Sequence, residues 1–439
     1  MDLHGQKIAF HTLGCKVNIY ETEAMEQLVR KAGAVLVPFD GPADIYVINT
    51  CTVTNIADRK SRQMIHRAKK QCPEAVVAAC GCYAQMSQED ALFETGADLI
   101  IGTDEKGRIA EILSDYLNKG LNRAVSDVSK AAVFKPMMLE TVQEHTRADV
   151  KVQDGCNQFC AYCIIPYARG RIRSKKPEDA LREIETLTAN GVQEVVLTGI
   201  HLSSYGKDLT EPVTLLDLIE QVHALPGVKR IRLGSLEPRI VTEEFAARLS
   251  KLEKICPHFH LSLQSGSASV LKRMNRHYSP EEYKESCGIL RRFFDDPAIT
   301  TDVIAGFPGE TAEEHRESLA FVKEIGFYEL HVFKYSRRKG TVADRMPDQV
   351  PEEVKTERSA ELIELGEQMS ADYRARKCGK RAEMLTEEPA VLNGKTYISG
   401  YTKEYIRVLA PEGAGENRIL CGTVRKIPET DAYYLEPHT

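Results

Sequence analysis

Apolar runs of strand length alternate with amphipathic helical periodicity over the first 116 residues of this chain. Such alternation indicates strand–helix repeats and therefore a parallel sheet. The predicted strands are 7–13, 44–49, 75–79 and 99–101, and the predicted helices are 20–32, 57–70 and 87–95. We expect an α/β unit at 1–116, a doubly wound parallel-sheet domain, followed by an irregular connector over 117–149.

The same alternation resumes after the connector and continues to about residue 370. Predicted strands are 150–152, 194–198, 230–233, 258–263, 300–305 and 329–333, and predicted helices are 177–190, 215–224, 243–251, 280–294, 311–325 and 351–377. Repeats of this length favour a partial parallel (β/α) barrel over 150–370. Over 371–439 the short strand candidates 382–387, 396–401, 406–409 and 419–427 are separated by turn residues, which predicts a small β-barrel.

Composition narrows the class of protein. Hydrophobic residues make up 42% of the chain and charged residues 28%, as in ordinary globular proteins. No apolar run is long enough to span a bilayer, and the N-terminus lacks the features of a signal peptide, so we expect a cytoplasmic protein without a membrane partner. Its twelve cysteines then indicate metal or redox chemistry, because disulfides are rare in a reducing compartment.

Three cysteines share one short loop directly after the predicted strand 150–152. Cys156, Cys160 and Cys163, here called the cysteine loop, have the spacing C-x3-C-x2-C, which can place three thiolates on one iron–sulfur cube. A [4Fe–4S] cluster normally takes four thiolates, so one iron would remain open to another ligand. On spacing alone, a structural zinc loop and three ordinary buried cysteines remain alternatives, although no second zinc half-site lies nearby.

Three further cysteines, here called the N-terminal cysteine set, each follow one of the first three predicted strands: Cys15, Cys51 and Cys82. The loops after parallel strands converge at one edge of a sheet, so these thiols are expected to meet in space. Free cysteine is also common near protein cores, so position alone favours a site only modestly. Four other cysteines are interpreted as structural: Cys72, Cys80, Cys256 and Cys287.

Local sequence adds to these positions. The cysteine loop reads DGCNQFCAYC over 154–163, and the N-terminal cysteine set lies in LGCKVN (13–18), NTCTV (49–53) and GCYAQ (81–85). The first resembles the signature of radical S-adenosylmethionine (SAM) enzymes, and the other three resemble the N-terminal domain of methylthiotransferases. Together they resemble the radical SAM methylthiotransferase family over nearly the whole chain.

The resemblance implies two [4Fe–4S] clusters and SAM as cofactors. The catalytic cluster would be held by Cys156, Cys160 and Cys163, with SAM on its open iron, where electron transfer cleaves SAM to a 5′-deoxyadenosyl radical. The second cluster, on the N-terminal cysteine set, would carry or activate sulfur. The segment 371–439 resembles the TRAM domain, an RNA-binding module, and 150–370 would be the radical SAM core.

Polar residues and glycines follow the later strands of the predicted barrel, where barrel enzymes place their sites. Glycine permits close backbone approach, and hydroxyl, amide and carboxyl groups offer hydrogen bonds to ribose, carboxylate or amine. They resemble the SAM-binding segments of the family, and the candidate contacts are Gly199, Ser235, Glu237, Gln264 and Asp302. His201 is a further candidate, with a surface loop histidine as the alternative.

A basic run follows the cysteine loop although the chain has a formal charge of −6. Such a run is usually a solvated face, but its position at the predicted mouth of the barrel suits phosphate contacts. The candidate nucleic-acid contacts, with two from a second patch, are Arg169, Arg171, Arg173, Lys175, Lys176, Arg337 and Arg338. The second patch lies in a Tyr-Ser-x-Arg-x-Gly-Thr-x-Ala segment (335–343) that also resembles the methylthiotransferases.

The substrate follows from the resemblance, and the basic run over 169–176 also favours RNA over an acidic peptide loop. The Gly14-Cys-Lys-Val-Asn18 form is similar to enzymes acting on N6-threonylcarbamoyladenosine beside the anticodon, which implies methylthiolation of C2 at position 37 in the anticodon stem-loop of tRNA. Isopentenyladenosine in tRNA and a ribosomal-protein aspartate are the alternatives within the family. Outside it stand a radical SAM enzyme with another outcome on a protein and a non-catalytic iron–sulfur RNA-binding protein. The sequence identifies neither the sulfur donor nor the electron donor.

Overall fold

The N-terminal region forms one six-stranded parallel sheet in the computed structural model, which describes residues 3–87, 89–142 and 146–438. Its strands are β1 (Lys7–Thr12), β2 (Val35–Leu36), β3 (Ile45–Thr50), β4 (Val76–Gly81), β5 (Leu99–Ile101) and β6 (Arg123–Ala124). Their order is β2-β1-β3-β4-β5-β6, so the direction of strand addition reverses between β1 and β3. Two-residue strands carry no periodicity, which is why β2 and β6 were not predicted.

Helices cover both faces of this sheet. They are α1 (Lys16–Lys31), α2 (Asn55–Gln71), α3 (Cys82–Met86), α4 (Glu89–Phe93) and α5 (Ile109–Lys119). Met25 of α1 and Leu113 of α5 share a core on one face, while Ile65 of α2 and Leu92 of α4 share a core on the other. The predicted doubly wound domain is confirmed. The predicted helix 87–95 is found as the shorter helix α4, with α3 before it, and residue 88 lies outside the described residues.

Six parallel strands then follow one another in chain order as an open barrel wall. They are β7 (Arg147–Asp154), β9 (Glu194–Gly199), β10 (Arg230–Leu233), β11 (His258–His260), β12 (Ala298–Ala305) and β13 (Glu329–Lys334), with β8 (Arg173–Ser174) antiparallel to β7 at the outer edge. Backbone bridges from Ile231 to Ile255 and from Leu236 to Leu261 join the two halves of the wall. The predicted partial barrel is confirmed.

Helices alternate with the strands of this wall, and most of them pack their apolar faces against it. They are α6 (Ile165–Arg169), α7 (Pro177–Ala189), α8 (Leu215–Ala224), α9 (Glu243–Leu249), α10 (Ala268–Arg273), α11 (Pro280–Phe293), α12 (Ala312–Ile325) and α13 (Glu352–Lys377). Fully buried Ile184, Ile219 and Leu290, from three of these helices, belong to one core with Val150 and Leu197 of the strands. The core therefore holds the strand ends, and the loops after them, in fixed positions. No helix in the described part of the chain has the length and apolar character needed to cross a membrane.

The C-terminal segment closes into a five-stranded barrel, as predicted. Its strands are β14 (Arg381–Leu392), β15 (Lys395–Thr402), β16 (Arg407–Pro411), β17 (Ile419–Lys426) and β18 (Tyr433–Pro437), of which β18 was not predicted. This small barrel docks against strand β10 of the larger barrel. There the Arg230 side chain donates to the backbone carbonyl of Thr402 at 2.8 Å, and the Arg232 side chain donates to that of Lys403 at 2.9 Å. Glu194 lies between both guanidinium groups and is fully buried.

Candidate functional site

The cysteine loop begins where β7 ends, and its geometry depends on a glycine. Gly155 has φ +69°, and a Cβ at this position would lie 1.8 Å from the carbonyl oxygen of Arg171. The Cys156 amide donates to the carbonyl of Gly170 at 3.1 Å, so the chain leaving the loop packs directly against its start. Only glycine permits this close return. The loop is thus held in a tight turn at the carboxyl end of the first barrel strand.

The three thiols of this loop lie close enough together for one thiol to raise the pKa of another. Burial, and next to it the Cys160 thiol, raise the pKa of Cys163 to about 12, and burial raises the pKa of Cys156 to about 11. A bound iron atom replaces the thiol proton and so removes this cost. Arg276 donates from Nη1 to Cys160 Sγ at 3.3 Å. The donor set therefore fits a three-thiolate iron–sulfur site with a cation at one sulfur.

The structure also brings the N-terminal cysteine set together. Cys15 is the residue before α1, Cys51 follows β3, and Cys82 begins α3 after β4. Gly14 has φ +107°, and a Cβ there would lie 3.0 Å from Cys51 Sγ, so glycine lets two of the cysteine-bearing loops touch. Burial, followed by the Cys82 thiol, raises the pKa of Cys51 to about 11, and Cys15 adds to the effect. These loops leave the sheet where its order reverses, the usual place of a site in such folds.

Neither set is arranged around a single metal ion. Among the described residues, no three His, Cys, Asp or Glu side chains are placed to bind one ion together. A [4Fe–4S] cube instead takes one thiolate at each of several iron corners, so its ligands stand further apart. The absence of such a convergence among the described residues is consistent with a cluster at either set.

Arg169 joins the two sets and contradicts its predicted role as an RNA contact. It ends α6, six positions after Cys163, yet its side chain is fully buried against the N-terminal domain. Its Nε donates to Cys82 Sγ at 3.3 Å, and its two terminal nitrogens donate to Glu21 and Asn18, each at 2.7 Å. A guanidinium enclosed in this way has no surface left for a phosphate.

A buried charge network surrounds this arginine. Glu21 accepts from Lys106 at 2.5 Å and from Lys151 at 2.6 Å, and Lys151 also pairs with Asp154 at 2.5 Å. Burial opposes ionisation, but Arg169 and the two lysines hold the pKa of Glu21 well below its usual range. Lys151 and Arg169 likewise hold the pKa of Asp154 at about 2. Both carboxylates are therefore charged and bind the two domains together.

A second connection runs through residues 336–343, here called the linking segment. Arg338 donates to Thr52 Oγ1 and to Asp58, each at 2.7 Å, and Thr52 is the neighbour of Cys51. At the other end of the segment, the Ala343 amide donates to the carbonyl of Ala161, which lies between Cys160 and Cys163. Arg338 is buried, so its predicted RNA contact is also wrong. It holds the Cys51 loop to the chain that supports the cysteine loop.

Polar side chains line the strand ends beside the cysteine loop. Glu237 accepts from Arg239 Nε at 2.6 Å and lies 3.6 Å from His201 Nε2, while Gln158 of the cysteine loop donates to it at 3.4 Å. Although burial opposes ionisation, His201 and Arg239 hold the pKa of Glu237 at about 2. Gln153 Oε1 accepts from the His201 amide at 2.7 Å, which ties this loop to β7. An ionised carboxylate of this kind can accept hydrogen bonds from an amine or a ribose.

The remaining candidates are spread along the same wall. Gly199 packs on Gln153, at a distance that leaves no room for a side chain. Ser235 is exposed, and Gln264 has φ +71° with its backbone bonded on both sides to β12. Asp302 lies 3.3 Å from His260 Nε2. All five predicted contacts therefore stand at strand ends or on the wall, and their contact with SAM stays a prediction.

Comparison with known proteins follows the division seen in the fold. Residues 150–322 match the family model described as radical SAM superfamily, and residues 7–102 match the one described as uncharacterized protein family UPF0004. A threonylcarbamoyladenosine tRNA methylthiotransferase MtaB from Bacillus subtilis is 43% identical over 92% of this chain and 90% of the relative. The chain belongs to the radical SAM methylthiotransferase family. Its enzymes use SAM and [4Fe–4S] clusters, as the cysteine motifs predicted.

Two further similarities concern a relative with a different named substrate and a solved structure. A tRNA-2-methylthio-N(6)-dimethylallyladenosine synthase from Caldicellulosiruptor saccharolyticus is 37% identical over 88% of this chain and 83% of the relative. The radical SAM methyltransferase TsrM from Kitasatospora setae, solved with cobalamin and a [4Fe–4S] cluster, aligns over 77% of each chain with a TM-score of 0.57 at 14% identity. At that identity the likeness shows the fold alone.

The surface of this methylthiotransferase retains part of the predicted basic patch. Arg173 and Lys175 are buried, the first against Asp104 and the carbonyl of Arg169 and the second against Glu183, so their predicted RNA contacts are wrong. Arg171, Lys176 and Arg337 are exposed and stay predictions. The carboxylates that neutralise the buried cations lie outside the basic run, in other elements of the fold, so the run alone did not reveal their burial.

The prediction missed several residues that shape both sites of the enzyme. Arg276, Glu21 and Lys106 lie outside the cysteine motifs and take their roles from packing. Glu21 was visible as a lone carboxylate on the buried face of a predicted helix, and such a group requires a partner. No signal in the sequence named that partner. Cys80, Cys256 and Cys287 are core residues, as predicted, and Cys72 contacts the Tyr46 hydroxyl.

Proposed function

We propose that this chain methylthiolates C2 of N6-threonylcarbamoyladenosine at position 37 of tRNA. The observation that carries the proposal is the pair of three-cysteine sets joined through Arg169, which provides two cluster sites at one domain joint. The Bacillus subtilis threonylcarbamoyladenosine tRNA methylthiotransferase, at 43% identity, supports the choice of nucleoside. The Lys16-Val17-Asn18 sequence after Cys15 supports the same choice.

The residues present fit the cofactors. Cys156, Cys160 and Cys163 would hold the cluster that binds SAM, and Cys15, Cys51 and Cys82 would hold the second cluster. When bound, these cofactors supply the one-electron chemistry that breaks an unactivated C–H bond, together with the sulfur and methyl groups. We assign SAM contacts to Gly199, Ser235, Glu237, Gln264 and Asp302.

The chain itself positions and encloses the reaction. Glu237 stays ionised between His201 and Arg239 and can orient an amine or hydroxyl beside the cysteine loop. The Lys151, Asp154 and Arg169 network fixes the loop against the N-terminal domain and excludes water from the joint. A buried, fully paired joint of this kind keeps two reacting groups at a fixed separation.

An exposed aromatic and basic rim beside the cysteine loop suits an RNA loop. Tyr167 is 45% exposed and packs edge-on to Phe159 at 5.9 Å, while the Arg171 guanidinium lies 4.6 Å over the Phe159 ring. Unpaired bases stack on aromatic rings and on guanidinium planes, and arginine also attracts phosphate. We therefore assign RNA contact to this rim, with Lys176, Arg337 and the C-terminal barrel as further surfaces. The donors of sulfur and of electrons remain unassigned.

The deciding experiment is mass spectrometry of tRNA nucleosides after anaerobic incubation with reconstituted protein, SAM and a reductant. The tRNA should carry both threonylcarbamoyladenosine and isopentenyladenosine without methylthio groups. A gain on the threonylcarbamoyl nucleoside alone supports the proposal. A gain on the isopentenyl nucleoside retains the chemistry and overturns the substrate, an outcome that the 37% identical synthase makes worth testing. Cleavage of SAM without either gain indicates a protein substrate.

A further inference from the structure

Arg169 is held so that one of its N–H groups must point at a sulfur. Its terminal nitrogens bond Glu21 and Asn18, while Nε bonds Cys82 Sγ at 3.3 Å. The guanidinium is planar and its five N–H groups have a fixed fork geometry, so Nε cannot leave Cys82 while the other bonds persist. The side chain is fully buried, so water does not compete for the sulfur.

The charges around Arg169 do not cancel without the sulfur. Its immediate network contains three cations, Lys106, Lys151 and Arg169, and two carboxylates, Glu21 and Asp154. Adding Arg173 and Asp104, and then Lys135 and Glu105 that continue from Asp104, leaves the same excess of one positive charge. Unpaired charge is costly in a buried site, and a thiolate at Cys82 balances the count. The network is therefore complementary to a thiolate.

The cysteine loop has an equivalent contact from a different source. Arg276 donates to Cys160 Sγ at 3.3 Å, but it belongs to the same barrel as its cysteine. Arg169 instead crosses from the barrel to the N-terminal domain. It also contacts Asp154, two residues before Cys156, at 3.3 Å. One side chain therefore contacts a sulfur of the N-terminal cysteine set and the end of the strand from which the cysteine loop begins.

We propose that Arg169 is a positioning residue that raises the reduction potential of the cluster on the N-terminal cysteine set. A hydrogen bond and a positive charge at a ligating sulfur stabilise the more negative, reduced cluster. Because Arg169 comes from the barrel, this adjustment exists only while the two domains are docked. The inference rests on the proposed second cluster and adds to it the group that controls its electrons.

The test is an EPR-monitored redox titration of the full-length chain with Cys156, Cys160 and Cys163 all replaced by alanine. This background isolates the second cluster. Arg169→Lys keeps the charge and loses the N–H···S bond, whereas Arg169→Gln loses both. We expect the reduction potential of the second cluster to be lower in Arg169→Lys than in the parent protein, and lower still in Arg169→Gln. The matched control is Arg173→Lys, which alters the same buried network without touching a sulfur and leaves the potential unchanged.

The outcomes separate this inference from the proposed function. An alanine background that binds no cluster overturns both. A cluster whose potential does not move in Arg169→Lys, or moves equally in Arg173→Lys, overturns the role of Arg169 and leaves the second cluster in place. Arg169→Gln leaves the surrounding buried carboxylates without one of their cationic partners and can prevent folding. In that case the comparison of Arg169→Lys with Arg173→Lys still decides.

Discussion

The two cysteine sets bring three thiols together by opposite routes. The cysteine loop gathers its three cysteines within eight consecutive positions, after one strand and around one glycine. The N-terminal cysteine set draws its cysteines from three loops, between positions 15 and 82, and depends on the order of β1, β3 and β4 to bring them together. The cysteine loop is therefore a local structure, whereas the N-terminal cysteine set forms only when the whole sheet has folded.

The difference extends to the groups around the sulfurs. Arg276 approaches Cys160 from within the barrel that holds the loop, so that contact survives any movement between domains. Arg169 approaches Cys82 from the other domain. The sulfur contact of the cysteine loop is consequently independent of the docking, whereas that of the N-terminal cysteine set depends on it. Experiments that disturb the joint should therefore affect the sulfur contact of the N-terminal cysteine set and spare that of the cysteine loop.

The largest expected effect comes from removing one ligand of each set. Cys156→Ala should abolish reductive SAM cleavage, because the cluster that binds SAM loses a thiolate. Cys51→Ala should leave SAM cleavage intact and stop methylthiolation. The measurements are 5′-deoxyadenosine release and methylthio nucleoside in the same reaction. Full product formation by Cys51→Ala would end the hypothesis of a second cluster.

The next effect tests how local the cysteine loop is. Gly155→Ala places a methyl group 1.8 Å from a carbonyl oxygen and should prevent the loop from closing, with loss of iron from this site. Gly326→Ala, just after α12, is the matched control, because Gly326 has a similar φ of +65° but no atom lies within 4 Å of its added Cβ. The control should cost only the left-handed strain of about 1 to 2 kcal/mol. Iron content and thermal unfolding of both variants decide the point.

The same contrast explains what the sequence could and could not predict. The C-x3-C-x2-C loop was predictable from spacing, and strand-end positions indicated that Cys15, Cys51 and Cys82 converge. Arg169, Arg173 and Lys175 were misplaced because they stand in a basic run, and their burial depends on Glu21, Asp154 and Glu183 in the folded protein. Local pattern reports which residues are charged. It does not report which carboxylate the fold will bring to each of them.

Lowering the pH should weaken two contacts between domains, one that depends on Asp154 and one that depends on Glu194. Lys151 and Arg169 lower the pKa of Asp154 to about 2, and Arg232 and Arg230 lower that of Glu194 to about 2, in each case against the effect of burial. Stabilisation by such a carboxylate is complete above its unfolded pKa near 4 and is lost as pH falls through about 2. Each group contributes up to about 3 kcal/mol on this basis.

Hydrogen exchange at pH 6 and pH 3 distinguishes the two joints. Asp154→Asn should raise exchange in α3 and α6, beside the N-terminal set, already at pH 6. Glu194→Gln should raise it in 401–403, where the C-terminal barrel docks, and spare α3. Wild-type protein should approach both patterns as the pH falls. If Asp154→Asn left α3 protected, the dependence of the N-terminal set on the joint would be contradicted.

The smallest expected effect concerns the open side of the cysteine loop. Tyr167 lies on α6 between the loop and Arg169, so one short helix presents a ring to solvent and a guanidinium to the N-terminal domain. Tyr167→Ala should weaken binding of an anticodon stem-loop about tenfold, since stacking of one base is worth about 1 to 3 kcal/mol. SAM cleavage in the absence of RNA should not change. Fluorescence anisotropy with a labelled stem-loop measures the affinity.

The control for this substitution is Val35→Ala, which removes a similarly exposed apolar group. Val35 is 51% exposed and pairs with Lys7, at the end of β1 opposite Cys15. Its truncation should leave the affinity unchanged, because no cysteine-bearing loop is near. Equal affinities for Tyr167→Ala and wild type would show that RNA does not stack at this rim.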